Sequence, residues 1–257
     1  MAVLAILALV AVALVGLATV PDKAYAADKE TVWVLSGYTE KHADYSVIYQ
    51  YSYNKKGLLK QEKQTQKAGA AKSTAVRTYK YSGLNLKSGA VKYDGKTSAK
   101  ITYKVNGKGW VTQEKFKGES RTSTYKCSYN KKGQMKKRAN EYSTMTYTYD
   151  SKGRVKALKE VVKPQGEYTM KFKYDAKGNL TKELTNGKVS VKYTNTYKKG
   201  RLAKRVGTVP NNEFDPKFTV TFKYKKVSVP KSAATMVEGQ QKVLINGNKP
   251  VISAIHG

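Results

Sequence analysis

The sequence predicts an all-β protein: an antiparallel meander of repeated β-hairpins, curled or closed into a barrel-like sheet with an aromatic interior. The first observation is a recurring turn. Tyr51-Ser52-Tyr53-Asn54-Lys55-Lys56-Gly57-Leu58-Leu59 contains an Asn/Asp-x-Lys-Gly core that returns at Asn106–Gly109, Asn130–Gly133, Asp150–Gly153 and Asp175–Gly178. Lys198-Lys199-Gly200 is a shortened copy and Ser82-Gly83 a worn one. The glycines at 57, 83, 109, 133, 153, 178 and 200 are 20 to 26 residues apart, a period that marks copies of one supersecondary unit. The second observation is alternation. Before each glycine one side-chain set is apolar (Val47, Tyr49, Tyr51, Tyr53; Ile101, Tyr103, Val105; Tyr125, Cys127, Tyr129), while Lys100, Thr102 and Lys104 interleave. Period two is the mark of a strand with one buried face. The third is the lack of a helical period outside the leader, which leaves short connections between sequential neighbours.

In each turn, Asn or Asp at the first position accepts from the backbone, and Gly at the fourth takes positive φ and re-enters a strand through a bulge. Asn54, Gly57, Asn106, Gly109, Asn130, Gly133, Asp150, Gly153, Asp175 and Gly178 are therefore structural turn residues. Two residues past the glycine the apolar face resumes with Leu59, Val111, Met135, Val155, Leu180 and Leu202.

In order, residues 1–26 read as a secretory signal: Ala2 to Val20 is apolar, and Ala24-Tyr25-Ala26 forms a small-x-small cleavage site. An uncleaved single-span anchor is the alternative. Residues 27–229 form the hairpin repeat domain, with strands at about 30–36, 45–53, 58–66, 74–81, 84–93, 97–105, 110–117, 121–129, 134–140, 142–149, 154–163, 167–174, 179–185, 188–197, 201–208 and 217–229. Turn chemistry also marks the opposite strand ends, at Asp94-Gly95, Lys117-Gly118, Asn140-Glu141, Pro164-Gln165-Gly166, Asn186-Gly187 and Pro210-Asn211-Asn212. Residues 230–257 lack the repeat and read as a C-terminal tail or an extra hairpin, with Asn246-Gly247 between the apolar runs Val243-Leu244-Ile245 and Val251-Ile252.

So many strands cannot stay one open twisted sheet, so the aromatic face must turn inward. A wide barrel then needs its tyrosines, or a flattened wall, to fill it. A lipid-spanning barrel would need the opposite packing, with aromatics outward.

Tyr-x-Tyr-Asp-x-x-Gly-Arg-Val at 147–155 and Phe-x-Tyr-Asp-x-x-Gly-Asn-Leu at 172–180 resemble the YD (RHS) repeat of bacterial cell-surface and toxin-shell proteins, and 51–59 and 103–111 are similar with Asn for Asp. The resemblance covers roughly residues 45 to 205 and implies a secreted, non-catalytic β-repeat scaffold. The chain departs from that family in being short for a full shell, in lacking an evident cargo domain and in its lysine content.

The remaining chemistry points away from an enzyme. His42 and His256 lack Cys, Asp or Glu at ligand spacing, so neither a metal nor another cofactor is expected. Cys127 occupies the place of Tyr51, Tyr147 and Phe172 in other copies and reads as a buried small hydrophobe. Charge is the functional lead. The net charge is +31, and of 49 basic residues six are Arg (77, 121, 138, 154, 201, 205), leaving 43 Lys. A lysine-dominated excess argues against sequence-specific nucleic-acid reading. The residue before the motif glycine is Lys56, Lys108, Lys132, Lys152, Lys177 or Lys199, a row of cations on hairpin tips suited to an anionic cell-wall polymer or glycan. The expected function is a secreted or wall-associated bacterial scaffold binding such polymers. The alternatives are a structural surface repeat protein or adhesin without a small ligand, in which lysines only solvate the strands, and a carrier with a tyrosine-lined cavity.

Overall fold

The computed structural model describes residues 28–247, so the leader assigned to 1–26 and the run Val251-Ile252 lie outside the described residues. The described chain forms sixteen strands: β1 (Lys29–Lys41), β2 (Tyr45–Tyr53), β3 (Leu59–Ala68), β4 (Ala71–Ser82), β5 (Asn85–Tyr93), β6 (Lys96–Val105), β7 (Val111–Gly118), β8 (Thr122–Tyr129), β9 (Met135–Ala139), β10 (Ser143–Tyr149), β11 (Val155–Val162), β12 (Gly166–Tyr174), β13 (Leu180–Thr185), β14 (Lys188–Lys198), β15 (Arg201–Thr208) and β16 (Lys217–Pro230). Each pairs antiparallel with its sequence neighbours, and β1 pairs with β16 from Lys29↔Pro230 to Lys41↔Thr219, so the meander closes into a barrel. Closure removes the unpaired edges that an open sheet would expose. The expected strands are present with their inward tyrosines, except that Tyr168, which alternation from Gly178 also places inward, is exposed at the far end of its strand. β1 runs further than its sequence pattern shows, through a bulge between Leu35 and Gly37.

The motif turns form as their chemistry dictates. The side-chain oxygens of Asn54, Asn106, Asn130, Asp150 and Asp175 each accept from the backbone N–H two and four residues on, and each motif glycine donates to the carbonyl of that first residue. Gly57, Gly109, Gly133, Gly153 and Gly178 sit at φ between 76° and 83°, where any other side chain is strained. At each of these turns the register slips by one residue, as at Tyr53↔Leu59 followed by Ser52↔Gln61.

That bulge corrects a simple continuation of period two. It turns over the parity of the outgoing strand, so the residue five after the motif glycine stands opposite an inward side chain: Glu62 opposite Tyr51, Glu114 opposite Tyr103, Arg138 opposite Cys127, Leu158 opposite Tyr147, Glu183 opposite Phe172 and Arg205 opposite Asn195. The interior is therefore aromatic with an embedded charged layer. Arg138 Nη2 meets Glu114 Oε2 at 2.8 Å, Arg77 stands opposite Glu62, and Tyr193 donates to Glu183 at 2.9 Å near Arg205. Burial pushes the carboxyls of Glu62 and Glu183 up and the guanidinium of Arg205 down.

The bulge also leaves a carbonyl without a ladder partner, and a tyrosine hydroxyl from the next hairpin takes it. Tyr81 donates to Leu59, Tyr129 to Val111, Tyr149 to Met135, Tyr174 to Val155 and Tyr224 to Leu202, at 2.6 to 2.9 Å. Tyrosine rather than phenylalanine at this place is thus explained by one buried acceptor per repeat.

Residues 231–246 overturn the expectation of a tail or hairpin. Lys231–Asn246 is a helix, α1, the one helix among the described residues. It lies across the barrel end that carries the motif turns, burying Ala233, Ala234, Val237, Val243 and Leu244. Its helical period is disguised because Gln240 and Gln241 occupy buried positions: their Oε1 atoms accept from Leu59 N at 3.0 Å and Leu35 N at 2.7 Å. Asn246-Gly247 is not a hairpin turn. Gly247, at φ 67°, caps the helix by donating to Val243 O.

Candidate functional site

In an antiparallel meander alternate connections share one end, so every motif turn lies around α1. Around this end the six predicted lysines fall into different settings. Lys132, Lys152 and Lys177 are exposed and line one cleft of about 650 Å³ between α1 and the turns. Lys177 Nζ lies 4.0 Å from the Tyr197 ring. Lys108 and Lys199 are exposed outside that cleft, Lys108 5.0 Å from the Trp110 ring, and Lys56 is half-buried beside the N-terminal part of the barrel seam.

Three further cations line the cleft: Arg154, Arg201 and Lys242. Spacing did not single them out, because Lys242 lies on the unforeseen helix and the arginines follow rather than precede the glycine. No carboxylate lines it among the described residues. Of the acids adjoining the lining residues, Glu238 is exposed on α1 beside Gly239, and Asp150 and Asp175 are engaged elsewhere. Asp150 accepts from the backbone of its own turn and from Arg154 Nε at 2.7 Å. Asp175 accepts from its own turn, from the Tyr197 hydroxyl and from Asn195. Although burial works against the charge, these hydrogen bonds hold both carboxyls below their ordinary value.

The other barrel end mixes both signs, with Lys41, Lys67, Lys72, Lys96, Lys117, Arg121, Lys163, Lys188 and Lys217 among its acids. Its connections and strand starts carry Asp44, Asp94, Glu119, Glu141, Glu167, Glu213 and Asp215. There His42 hydrogen-bonds Glu40 at 2.6 Å and Asp215, and stacks on Tyr45 and Phe218. Among the described residues no cluster of His, Cys, Asp and Glu could hold a metal ion. Cys127 is buried, and burial pushes its thiol up to about 12, so it is inert as a nucleophile.

A family model described as the teneurin YD-shell matches residues 92–246, more than half of the chain. The chain belongs to the teneurin YD-shell family. The match ends on the last residue of α1, so the helix is part of the YD-shell unit. No curated protein matches. Among solved structures, the YD-shell chain is similar to a porin-like protein from Bacteroides uniformis, at 16% identity and TM-score 0.57, over 74% of this chain and 98% of that one. That likeness is one of fold. Here Lys100, Lys104, Lys171 and Lys173 are exposed on the outer wall, which is not the apolar band of a lipid-facing barrel.

Proposed function

We propose that this YD-shell protein is a secreted or wall-associated, non-catalytic scaffold that binds anionic surface polymers at its helix-plugged end. The observation carrying the reading is the cleft whose lining holds cations from three hairpin tips, two arginines and α1 and no carboxylate. A repeating polyanion is the fitting partner because the cations repeat with the hairpins around this rim, whereas at the other rim the cations are interspersed with seven acids. A tyrosine-lined carrier is less favoured: a cavity beside Tyr38, Tyr193 and Phe222, at the C-terminal end of α1, measures about 170 Å³, below the roughly 300–1,000 Å³ usual for a small-molecule site.

The test replaces Lys56, Lys108, Lys132, Lys152, Lys177 and Lys199 together by Gln and measures retention on purified cell wall against salt. Wild-type retention should fall steeply with salt and the variant should elute early while keeping its thermal transition. Retention that survives in the variant, or in high salt, would instead favour a surface adhesin whose lysines serve solubility.

A further inference from the structure

The arginines of this lysine-rich chain are not scattered. Arg77, Arg138 and Arg205 belong to the interior layer, and Arg121 lies over the Tyr142 ring at the far rim. The remaining two, Arg154 and Arg201, both line the cleft. Arg154 is committed, to Asp150 and to the carbonyl of Asp175. Arg201 is not. Its guanidinium carbon rests 3.8 Å from the Trp33 ring centroid, and it makes no hydrogen bond or ion pair to a described residue. This cation–π contact attracts the guanidinium to the ring without using its donors.

A second observation points into the same cleft. Gln241, 7% exposed and among its lining residues, uses Oε1 to accept from Leu35 N, while its Nε2 amide has no acceptor. A buried donor left unpaired is costly, and a ligand acceptor in the cleft would relieve it once the Gln241 amide turns toward that side. Lys152, Lys177 and Lys242 line the same cleft and add further donors.

Resting on the reading of this end as the anion-binding face, we infer that the cleft is a discrete phosphate site in which Arg201, resting over the Trp33 ring, grips two oxygens of a phosphate ester. Arginine matters here beyond its charge because two parallel N–H donors match two oxyanion oxygens, which a lysine ammonium cannot reproduce. The phosphate belongs either to a phosphodiester polymer or to a free phosphate monoester, and the two sources share this chemistry.

The experiment titrates the full chain and its Arg201→Lys variant with poly(glycerol phosphate), with glycerol 3-phosphate, and with polyglutamate as a carboxylate polymer of matched charge. Binding is followed by calorimetry and by Trp33 emission in a Trp110→Phe background. Arg201→Lys should weaken at least one phosphate ligand about tenfold, the loss of one charge-assisted hydrogen bond. Because the fork also fits carboxylates, selectivity is read in the wild type, which should bind a phosphate ligand at least about tenfold more tightly than polyglutamate. Polymer binding without glycerol 3-phosphate binding assigns the site to a phosphodiester chain. The reverse assigns it to a free ester and removes the wall-polymer reading while this inference stands. Wild-type binding of polyglutamate as tight as that of both phosphate ligands, or no effect of Arg201→Lys on any phosphate ligand, overturns the inference. So does failure of the wild type to bind either phosphate ligand at physiological ionic strength, and polyglutamate binding would then preserve the broader reading. Lys152→Gln, which removes a point charge of the lining and leaves the Arg201 fork in place, serves as a second variant and should weaken all three ligands through charge alone.

Discussion

Cutting the buried ion pair of Glu114 and Arg138 tests the charged layer on which the interior account rests. Arg138 Nε and Nη2 donate to Glu114 Oε2 at 3.0 and 2.8 Å, and the guanidinium carbon lies 3.4 Å from the Tyr125 ring centroid. The side chains are 12% and 5% exposed, so neither charge has much recourse to water. Arg138→Met alone leaves the carboxylate without its cation, at a cost of about 3–5 kcal/mol. Glu114→Leu with Arg138→Met removes both desolvation penalties along with the attraction, and should lie between neutral and about 1–4 kcal/mol more stable than wild type. For a urea slope of about 1–3 kcal/mol per molar, the single variant moves the unfolding midpoint down by at least about 1 M. Equilibrium unfolding followed by far-ultraviolet circular dichroism and tryptophan emission reads both numbers, with coincidence of the two probes as the check on cooperativity. A midpoint unchanged in Arg138→Met would place the pair in water rather than inside the barrel. A double variant as damaged as the single one would mean that the pair is required by packing, not by charge compensation.

Other substitutions read other parts of the structure. Gly57→Ala and Gly200→Ala meet similar positive φ values of 77° and 76°, but an added Cβ at Gly57 would fall 2.3 Å from Val229 Cγ1 and 3.0 Å from Val237 Cγ2, against open space at Gly200. Gly57→Ala should therefore cost about 1–3 kcal/mol more in thermal or urea unfolding, and equal costs would deny the seating of α1 on that turn. Tyr174→Phe deletes the hydroxyl that donates to Val155 O at 2.6 Å and should cost about 1 kcal/mol by the same assay. At the far end, burial opposes the charge on His42, but hydrogen bonds to Glu40 and Asp215 outweigh it and raise its pKa. Because the folded value lies above the unfolded one, this stabilisation is complete below about pH 6.5 and is lost as pH rises through the folded value. Amide exchange in 209–216, corrected for intrinsic rate, should quicken on that rise, and His42→Gln should abolish the change.

The hairpins, their tips and the inward tyrosines were legible because each depends on local chemistry. Asn54 and Gly57 make the same turn wherever they stand, and Tyr49, Tyr51 and Tyr53 alternate within a single strand. The embedded charges were not legible by simple alternation: Glu62, Glu114 and Arg138 look outward until the bulge after each glycine turns over the strand. A signal did exist, since a charged residue recurs five positions past the motif glycine. Of the candidate site, three motif lysines stand in the cleft, whereas Arg201 gained its place only by lying beside Trp33, far away in sequence.

Periodic side chains on a repeating turn thus determined by themselves that the chain is a β-meander with rings inside and lysines outside. Tertiary structure alone decided that β1 meets β16, that Lys231–Asn246 coils into a helix plugging the end, and that cations from distant hairpins share one cleft. The physical reason is reach. Turns and pleats are settled by neighbours a few residues apart, whereas Gln240 and Gln241 become helical core residues only because orphan amides at Leu59 and Leu35, about two hundred residues earlier, wait for their oxygens.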